Sequence, residues 1–449
     1  MKRLLFFIAL LSLLMGCKKT SYVAKFDKTP QERVGEQMAL VSSILTSAEN
    51  GWIASLPTSA GGGYGFYVSF DKDQNVKMYG DMTDQSAAEV GKSYYRIKQD
   101  MGTDLVFDTY NYISMLDDPD SQVLGGASKI GYSSDVEFIY DRSTADSIVL
   151  IGKKYRQPFK LVKATAAQRA IYEAGGYKTA INKFKNFFAM TKNPYIELVS
   201  GNTTLKIGIT PNMTNDLDNG KRVDFTGVLA DGTTVASSTE KFNFTLDGAV
   251  ILNKGLVFQG ISFVKFVWKS ETTLAVYDAT GKEYILKSSA TPLVPLYQLW
   301  GSKYSGMLSE FKTIYKGTSA NGAAILNYFH NNLTTSAVTG YVFNYGRINF
   351  AWNVVNKRLT INAHTSQSGG ASTWVTTSTY TYTLDANGVY KFTLLSAPSG
   401  GYAGKIIVKL HDFILANRVS FDYYVDGENT YGKMTSVDDP TIVMTFVLQ

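Results

Sequence analysis

Hydrophobic positions change their spacing several times along the chain, and each change marks an element. Val34, Met38, Val41, Leu45 and Ala48 recur every three or four positions, the period of one helical face. Thr29-Pro30-Gln31-Glu32 supplies the start of that helix. Thr29 can cap it, Pro30 suits the first helical position, and Glu32 completes a capping box. Asn50-Gly51 is the stop. Beyond Trp52 the period falls to two. Residues 65–70 and 76–79 flank the polar run Asp71-Lys72-Asp73-Gln74-Asn75, which is hairpin grammar, and 93–98, 105–110, 135–140, 147–152 and 159–162 continue as strands. A second capping box, Thr165-Ala166-Ala167-Gln168, opens a helical stretch to about Met190 that is interrupted at Gly175-Gly176. Alternation returns from Tyr195 to Lys287, and Thr291-Pro292-Leu293-Val294-Pro295 reads as a boundary. The last stretch predicts strands, among them 341–343, 347–352, 377–384, 389–394, 405–410 and 442–448, with one short helix near 323–329.

The pattern predicts a mainly β fold with a few helices (α+β). Its units are antiparallel meander, barrel-like or sandwich units, in two or three domains. The expected divisions are an N-terminal helix plus antiparallel β domain over 29–164, a helix plus β domain over 165–292, and a C-terminal β domain over 293–449. Three strands end alike: Phe66-Tyr67-Val68-Ser69-Phe70-Asp71, Phe242-Asn243-Phe244-Thr245-Leu246-Asp247 and Tyr380-Thr381-Tyr382-Thr383-Leu384-Asp385. Either the units are related meanders, or any amphipathic strand running into a hairpin looks like this.

The first sixteen residues, MKRLLFFIALLSLLMG, follow a different rule. Lys2 and Arg3 precede an apolar run over 4–14 broken only by Ser12. That run is too short to span a hydrocarbon core of about 30 Å as a helix, and it fits a signal peptide over 1–16. Leu14-Met15-Gly16-Cys17 is the bacterial lipobox pattern. It offers an apolar residue to seat in the peptidase, a small residue at the cut, and a thiol to carry diacylglycerol as a thioether. Cys17 is therefore the expected lipid-attachment residue, with a lipidated tether over 17–28. It is also the single cysteine of the chain. Intramolecular disulfides and Cys-based zinc sites are thereby excluded, and core burial must stabilise the exported protein.

Charge narrows the partners. Basic and acidic residues number 44 and 38, a net +6; loss of Lys2 and Arg3 leaves 42 against 38, or +4. So small an excess over a long chain implies no nucleic-acid partner.

Motifs for catalysis are missing. The three histidines, His330, His364 and His411, form no HxH or HExxH pattern. Asp117-Asp118-Pro119-Asp120 and Asp438-Asp439-Pro440 read as acidic turns. Asn215-Asp216-Leu217-Asp218-Asn219-Gly220 fails the calcium-loop template, because Leu217 and Thr226 fall at its third and twelfth positions. There is no GxSxG, GxxxxGK[ST], or GxGxxG opening a helix. Gly61-Gly62-Gly63 reads as a flexible loop leading into a strand. No catalytic residue, metal ligand or cofactor is nominated. Aromatic residues remain. Trp268 and Trp352 close alternating runs and read as core or edge. Trp374 follows a Gly/Ser/Thr-rich loop over 366–373, and Tyr402 sits in Ser399-Gly400-Gly401-Tyr402-Ala403-Gly404. These two are the candidate ligand-binding residues.

Gly51-Trp52, Gly61-Gly62-Gly63-Tyr64-Gly65-Phe66, Ser93-Tyr94-Tyr95, Leu105-Val106-Phe107-Asp108-Thr109-Tyr110-Asn111, Asp118-Pro119, Val136-Glu137-Phe138 and Gly152-Lys153-Lys154 follow one another in order. Together they resemble a family of Bacteroidota lipoproteins of unknown function, most strongly over 51–163. That family is similar to accessory lipoproteins found beside TonB-dependent outer-membrane transporters. The resemblance implies an outer-membrane location and a non-catalytic accessory or binding role in nutrient uptake. It also implies possible partners: the transporter, its binding lipoprotein, and a glycan or peptide polymer. It supplies no catalytic residue. Surface-displayed lipoproteins of this kind often carry acidic residues after the lipidated cysteine, whereas here Lys18-Lys19-Thr20-Ser21 follow, which leaves the membrane face open. Two other readings compete: a hydrolase with an unrecognised carboxylate pair, and a purely structural envelope lipoprotein.

Overall fold

The computed structural model describes residues 28–100, 102–201 and 203–449. The expected signal peptide over 1–16, Cys17 and the expected tether except Lys28 lie outside the described residues. The fold class read from the pattern holds: the chain is mainly β, with seven helices among the described residues and three antiparallel sheets.

The first sheet is a closed barrel of eight strands taken in chain order. They are β1 (Trp52–Pro57), β2 (Gly63–Phe70), β3 (Asn75–Gly80), β4 (Gly91–Gln99), β5 (Thr103–Phe107), β6 (Glu137–Ser143), β7 (Ser147–Gly152) and β8 (Pro158–Lys163), with β8 pairing back on β1. Side chains fill an eight-stranded barrel of this size, and here Phe66, Phe107, Phe138 and Phe159 meet at its centre. Helix α1 (Pro30–Thr46) starts with the expected capping box, in which Thr29 and Glu32 each bond the other's backbone. It closes one end of the barrel by burying Val41 and Leu45, each contributing about 1.5–3 kcal/mol. The Trp52 indole N–H fixes the join by donating to Leu45 O at 2.8 Å. A short helix α2 (Asp84–Ala88) follows β3, and a shorter one, α3 (Ser121–Leu124), lies between β5 and β6.

Helices α4 (Ala166–Glu173) and α5 (Gly176–Met190) follow, broken at Gly175 as the sequence indicates. The second sheet runs from β9 (Tyr195–Ser200) through β10 (Thr203–Asn212), β11 (Arg222–Val228), β12 (Val235–Thr245) and β13 (Gly248–Ile251) to β15 (Ile261–Trp268), β16 (Leu274–Asp278) and β17 (Glu283–Ile285). β14 (Leu256–Phe258) pairs with β15. One bridge, Tyr195 to Lys287, brings its two ends together. The buried face of α5 fills the sheet, with Phe184 against Phe244 and Phe266 at 5.6 and 5.7 Å.

The first barrel and the second sheet share one core, in which Tyr67 and Tyr79 pack with Tyr172, Tyr177 and Phe244. Here the reading of Gly61-Gly62-Gly63 as a flexible loop is corrected. These glycines are buried, and β2 runs hard against β12. A Cβ on Gly65 would lie 2.6 Å from both Phe244 O and Tyr177 Oη. A Cβ on Gly62 would run into Gly220 O, and one on Gly63 would lie 2.7 Å from Phe242 O, while one on Gly61 would run into the Tyr132 ring, so none of the three positions has room for a side chain.

A buried ion pair crosses the same joint. Lys221 Nζ lies 2.7 Å from Asp81 Oδ2, both side chains being almost fully buried. That carboxylate also accepts the Phe244 N–H at 3.0 Å, and the Phe244 ring lies 4.3 Å from the ammonium. Burial pushes the Lys221 pKa down, while Asp81 pulls it up.

The third sheet is another closed barrel in chain order. Its strands are β18 (Gly306–Ser309), β19 (Tyr345–Asn353), β20 (Arg358–Ser366), β21 (Trp374–Leu384), β22 (Val389–Ser399), β23 (Arg418–Asp426), β24 (Asn429–Ser436) and β25 (Val443–Leu448). Helices α6 (Ala320–Leu333) and α7 (Val408–Ala416) cover it. The Trp300 and Trp352 rings stack in its core, 4.1 Å apart.

Two expected strands of this unit are corrected. Residues 405–410, a β-branched apolar run, form a turn leading into α7. Ile406, Ile407, Leu410, Phe413 and Ile414 are buried at helical spacing, so tertiary burial overrides local β preference. Residues 341–343 form a loop whose Phe343 N–H bonds Leu333 O at 2.7 Å, the end of α6, so no neighbouring strand pairs with it. The helix placed near 323–329 extends from Ala320 to Leu333.

The three similar strand endings occupy non-equivalent places, β2 being second in its barrel and β21 fourth in the other. What the first and last share is turn chemistry. Asp71 Oδ1 accepts from the N–H of Asp73 and Asn75, and Asp385 Oδ1 from those of Asn387 and Val389, all at 2.9 Å.

Candidate functional site

Trp374 begins β21, directly after the 366–373 loop. That loop is held in place: Ser366 Oγ accepts from Ser368 N and Gly370 N at 3.0 and 3.1 Å, and Asn344 Oδ1 accepts from Gly369 N at 2.9 Å. Tyr402 lies after β22. Gly400 and Gly401 turn the chain there with φ of +75° and +52°. A Cβ on Gly401 would meet Val375 C at 2.8 Å, so glycine is needed both for its conformation and for its space. The buried Thr376 hydroxyl pins this turn, donating to Gly400 O at 2.7 Å and accepting from Ala403 N at 2.9 Å.

The barrel thus brings the two candidate residues together. Their rings meet edge to face at 5.5 Å. Two aromatics that the sequence reading missed complete the group. Tyr341 lies 4.7 Å from Tyr402, and buried Phe343 supports both Tyr402 and Trp374 from beneath, at 5.9 and 6.3 Å. Trp374 is 40% exposed and Tyr341 47% exposed. Of the five tryptophans, Trp374 alone is exposed: Trp52, Trp300 and Trp352 are buried and Trp268 is half-buried. Beside Tyr402 a groove of about 540 Å³ continues over Ser399, Gly400, Lys405 and Val408 to His411. Three rings held at fixed angles on hydrogen-bonded turns form a preorganised platform for a flat apolar face, next to a polar slot.

Other features have local explanations. A groove of about 700 Å³ runs along α5 beside Trp268. There Lys183 covers the indole at 4.5 Å and Phe187 packs edge-on at 5.5 Å, so protein occupies the ring. Asp100, Asp104 and Glu137 form the one group of three or more metal-ligating side chains among the described residues. Lys153 Nζ sits among them, 2.7 Å from Glu137 and 3.7 Å from buried Asp104, and Lys98 is 3.1 Å from Glu137. This is an ion-pair network with its cations supplied by lysine.

The acidic turns are structural. Asp438 takes three hydrogen bonds from Arg418, and Asp120 caps α3. Asn215 belongs to the joint between the first two sheets, its side-chain amide donating to Met82 O at 2.7 Å. The histidines take separate roles. His330 Nδ1 accepts the Lys312 N–H at 3.2 Å, and burial holds its pKa down to about 4. His364 contacts Thr373, and His411 contacts Tyr380. No helix among the described residues is long and apolar enough to cross a membrane.

Residues 24–270, more than half of the chain, match the family described as "Domain of unknown function (DUF4302)". The chain belongs to that family. The DUF4302 match takes in the first barrel, α4 and α5, and the second sheet through β15. The aromatic platform lies beyond it, on the third sheet. No curated protein matches the chain. Among solved structures, a similarity to the DNA polymerase III subunit beta sliding clamp of Bartonella birtlesii LL-WM9 covers 93% of this chain and 97% of that one, at 8% identity. The TM-score is 0.13.

Proposed function

We propose that this chain is a lipid-anchored envelope protein that binds a ring-bearing polymer fragment at the aromatic end of its C-terminal barrel. It would act as a non-catalytic accessory component of an outer-membrane nutrient-uptake system. The observation that carries the reading is the convergence of exposed Tyr341 and Trp374 with half-buried Tyr402 at one rim, held by Phe343 and Thr376. Exposed aromatic faces are costly in water unless a ligand covers them, and sugar rings present a matching C–H face with hydroxyls at the edge. The resemblance to Bacteroidota lipoproteins supports the uptake role, with a TonB-dependent transporter and its binding lipoprotein as partners.

Leu14-Met15-Gly16-Cys17 supports the anchor, since two or three acyl chains hold a protein stably where one does not. Cys17→Ser is expected to release the protein from the membrane fraction and to remove the mass of the lipid. Continued membrane fractionation at unchanged mass would count against the anchor. For binding, Trp374→Ala and Tyr402→Ala are each expected to weaken retention on a glycan or peptide polymer about 30-fold, the effect of truncating a central aromatic contact worth about 2 kcal/mol. Affinity electrophoresis through polymer-containing gels measures this. Equal retention of wild type and both variants would remove the platform from the account.

A further inference from the structure

The groove beside the platform has a charge character of its own. Its wall carries Lys405 and His411 and no carboxylate. Lys405 is exposed and makes no ion pair among the described residues, unlike Lys316 and Lys433 of the same C-terminal unit, which pair with Asp426 and Asp422. His411 commits Nδ1 to the Tyr380 hydroxyl at 2.7 Å, which leaves Nε2 as its remaining hydrogen-bonding nitrogen. Helix α7 begins on the same wall at Val408 with no side-chain cap, so no local side-chain oxygen offsets the positive end of its dipole. Asp412, the next residue along α7, is not on the wall. A ring platform thus adjoins a slot offering cationic and N–H donor groups without an acid to repel an anion.

Building on the binding role above, we propose that the ligand is an acidic saccharide. The apolar face of a sugar ring would lie on Trp374 and Tyr402, and its carboxylate or sulfate would be directed to Lys405. A neutral sugar would use the rings alone. The free lysine adds a contact that only an anionic sugar can make, and a partly exposed pair of this kind discriminates by a few-fold and weakens with salt.

The test is calorimetric titration of the whole protein with oligogalacturonate, with chondroitin sulfate fragments, and with neutral malto- and xylo-oligosaccharides of matched length. Wild type is expected to bind one of the acidic series about two- to fivefold tighter than the neutral ones. The preference should shrink as salt rises and vanish in Lys405→Gln, with neutral binding unchanged by that substitution. The two acidic series separate carboxylate from sulfate as the recognised group. Neutral fragments binding as tightly as acidic ones, or a preference that survives Lys405→Gln, would overturn the acidic assignment while leaving ring binding in place. Failure of every saccharide to bind would overturn the saccharide assignment altogether and leave a peptide polymer as the ligand class for the binding role to answer to.

Discussion

Lys221→Ala is expected to destabilise the first two sheets by about 3–5 kcal/mol, the range for breaking one side of a buried ion pair. Lys221 and Asp81 are both almost fully buried, with Nζ 2.7 Å from Oδ2. The pair spans the joint: Asp81 follows β3 of the first barrel, whereas Lys221 precedes β11 of the second sheet. Truncating the lysine leaves a carboxylate in an apolar, aromatic setting, with the Phe244 N–H as its remaining partner. Removal of both charges should hurt less than removal of one, because the uncompensated carboxylate carries most of the cost. Lys221→Met combined with Asp81→Leu is therefore expected to recover much of the loss. Urea unfolding followed by fluorescence measures both variants. A change below about 1 kcal/mol for Lys221→Ala, against the range expected for a buried pair, would contradict the pair's structural role.

Gly65→Val is expected to cost about 3 kcal/mol, at the upper end for overpacking. The first added carbon would already lie 2.6 Å from Phe244 O and 2.7 Å from Asn243 Nδ2. The Phe244 carbonyl belongs to the backbone of β12, which is held by its own ladder to β11 and β13, so it cannot withdraw without breaking sheet hydrogen bonds. A thermal melt of the variant should show a lowered midpoint for the first two sheets. An unchanged midpoint would mean that the two backbones are not in close contact. The DUF4302 match spans this joint and both partners of the ion pair, which fits a region that folds around one shared core.

The local elements were legible because their signals are local. Thr29 with Glu32 and Thr165 with Gln168 announce helix starts within four residues, and both capping boxes form. Strict alternation gave β19, β20 and β21 their buried and exposed faces. What the sequence hid depends on partners distant along the chain. Gly61-Gly62-Gly63 looks flexible until Tyr132, the Gly220-Lys221 segment and Phe242 of β12 are laid against it. The 405–410 run looks like a strand until the barrel buries one face of α7. Lys221 gives no hint of burial, because Asp81 and the rings around it come from elsewhere.

The candidate site shows the same division. Trp374 and Tyr402 stood out because each adjoins a Gly/Ser-rich loop. Their mutual contact, the supporting Phe343, and the neighbouring Tyr341 and Lys405 follow only from closure of the third barrel. The reading of Cys17 as a lipid-attachment residue rests on its lipobox setting alone, and Cys17 lies outside the described residues.

The most direct measurement of the central claim uses the exposure of Trp374. Among the tryptophans it alone is exposed, so it should dominate iodide quenching of the intrinsic fluorescence. A bound polymer fragment is expected to protect against that quenching in wild type, and Trp374→Ala to remove both the quenchable component and the binding. Quenching that no ligand from a broad glycan and peptide panel reduces, or full binding by Trp374→Ala, would contradict the binding role of Trp374.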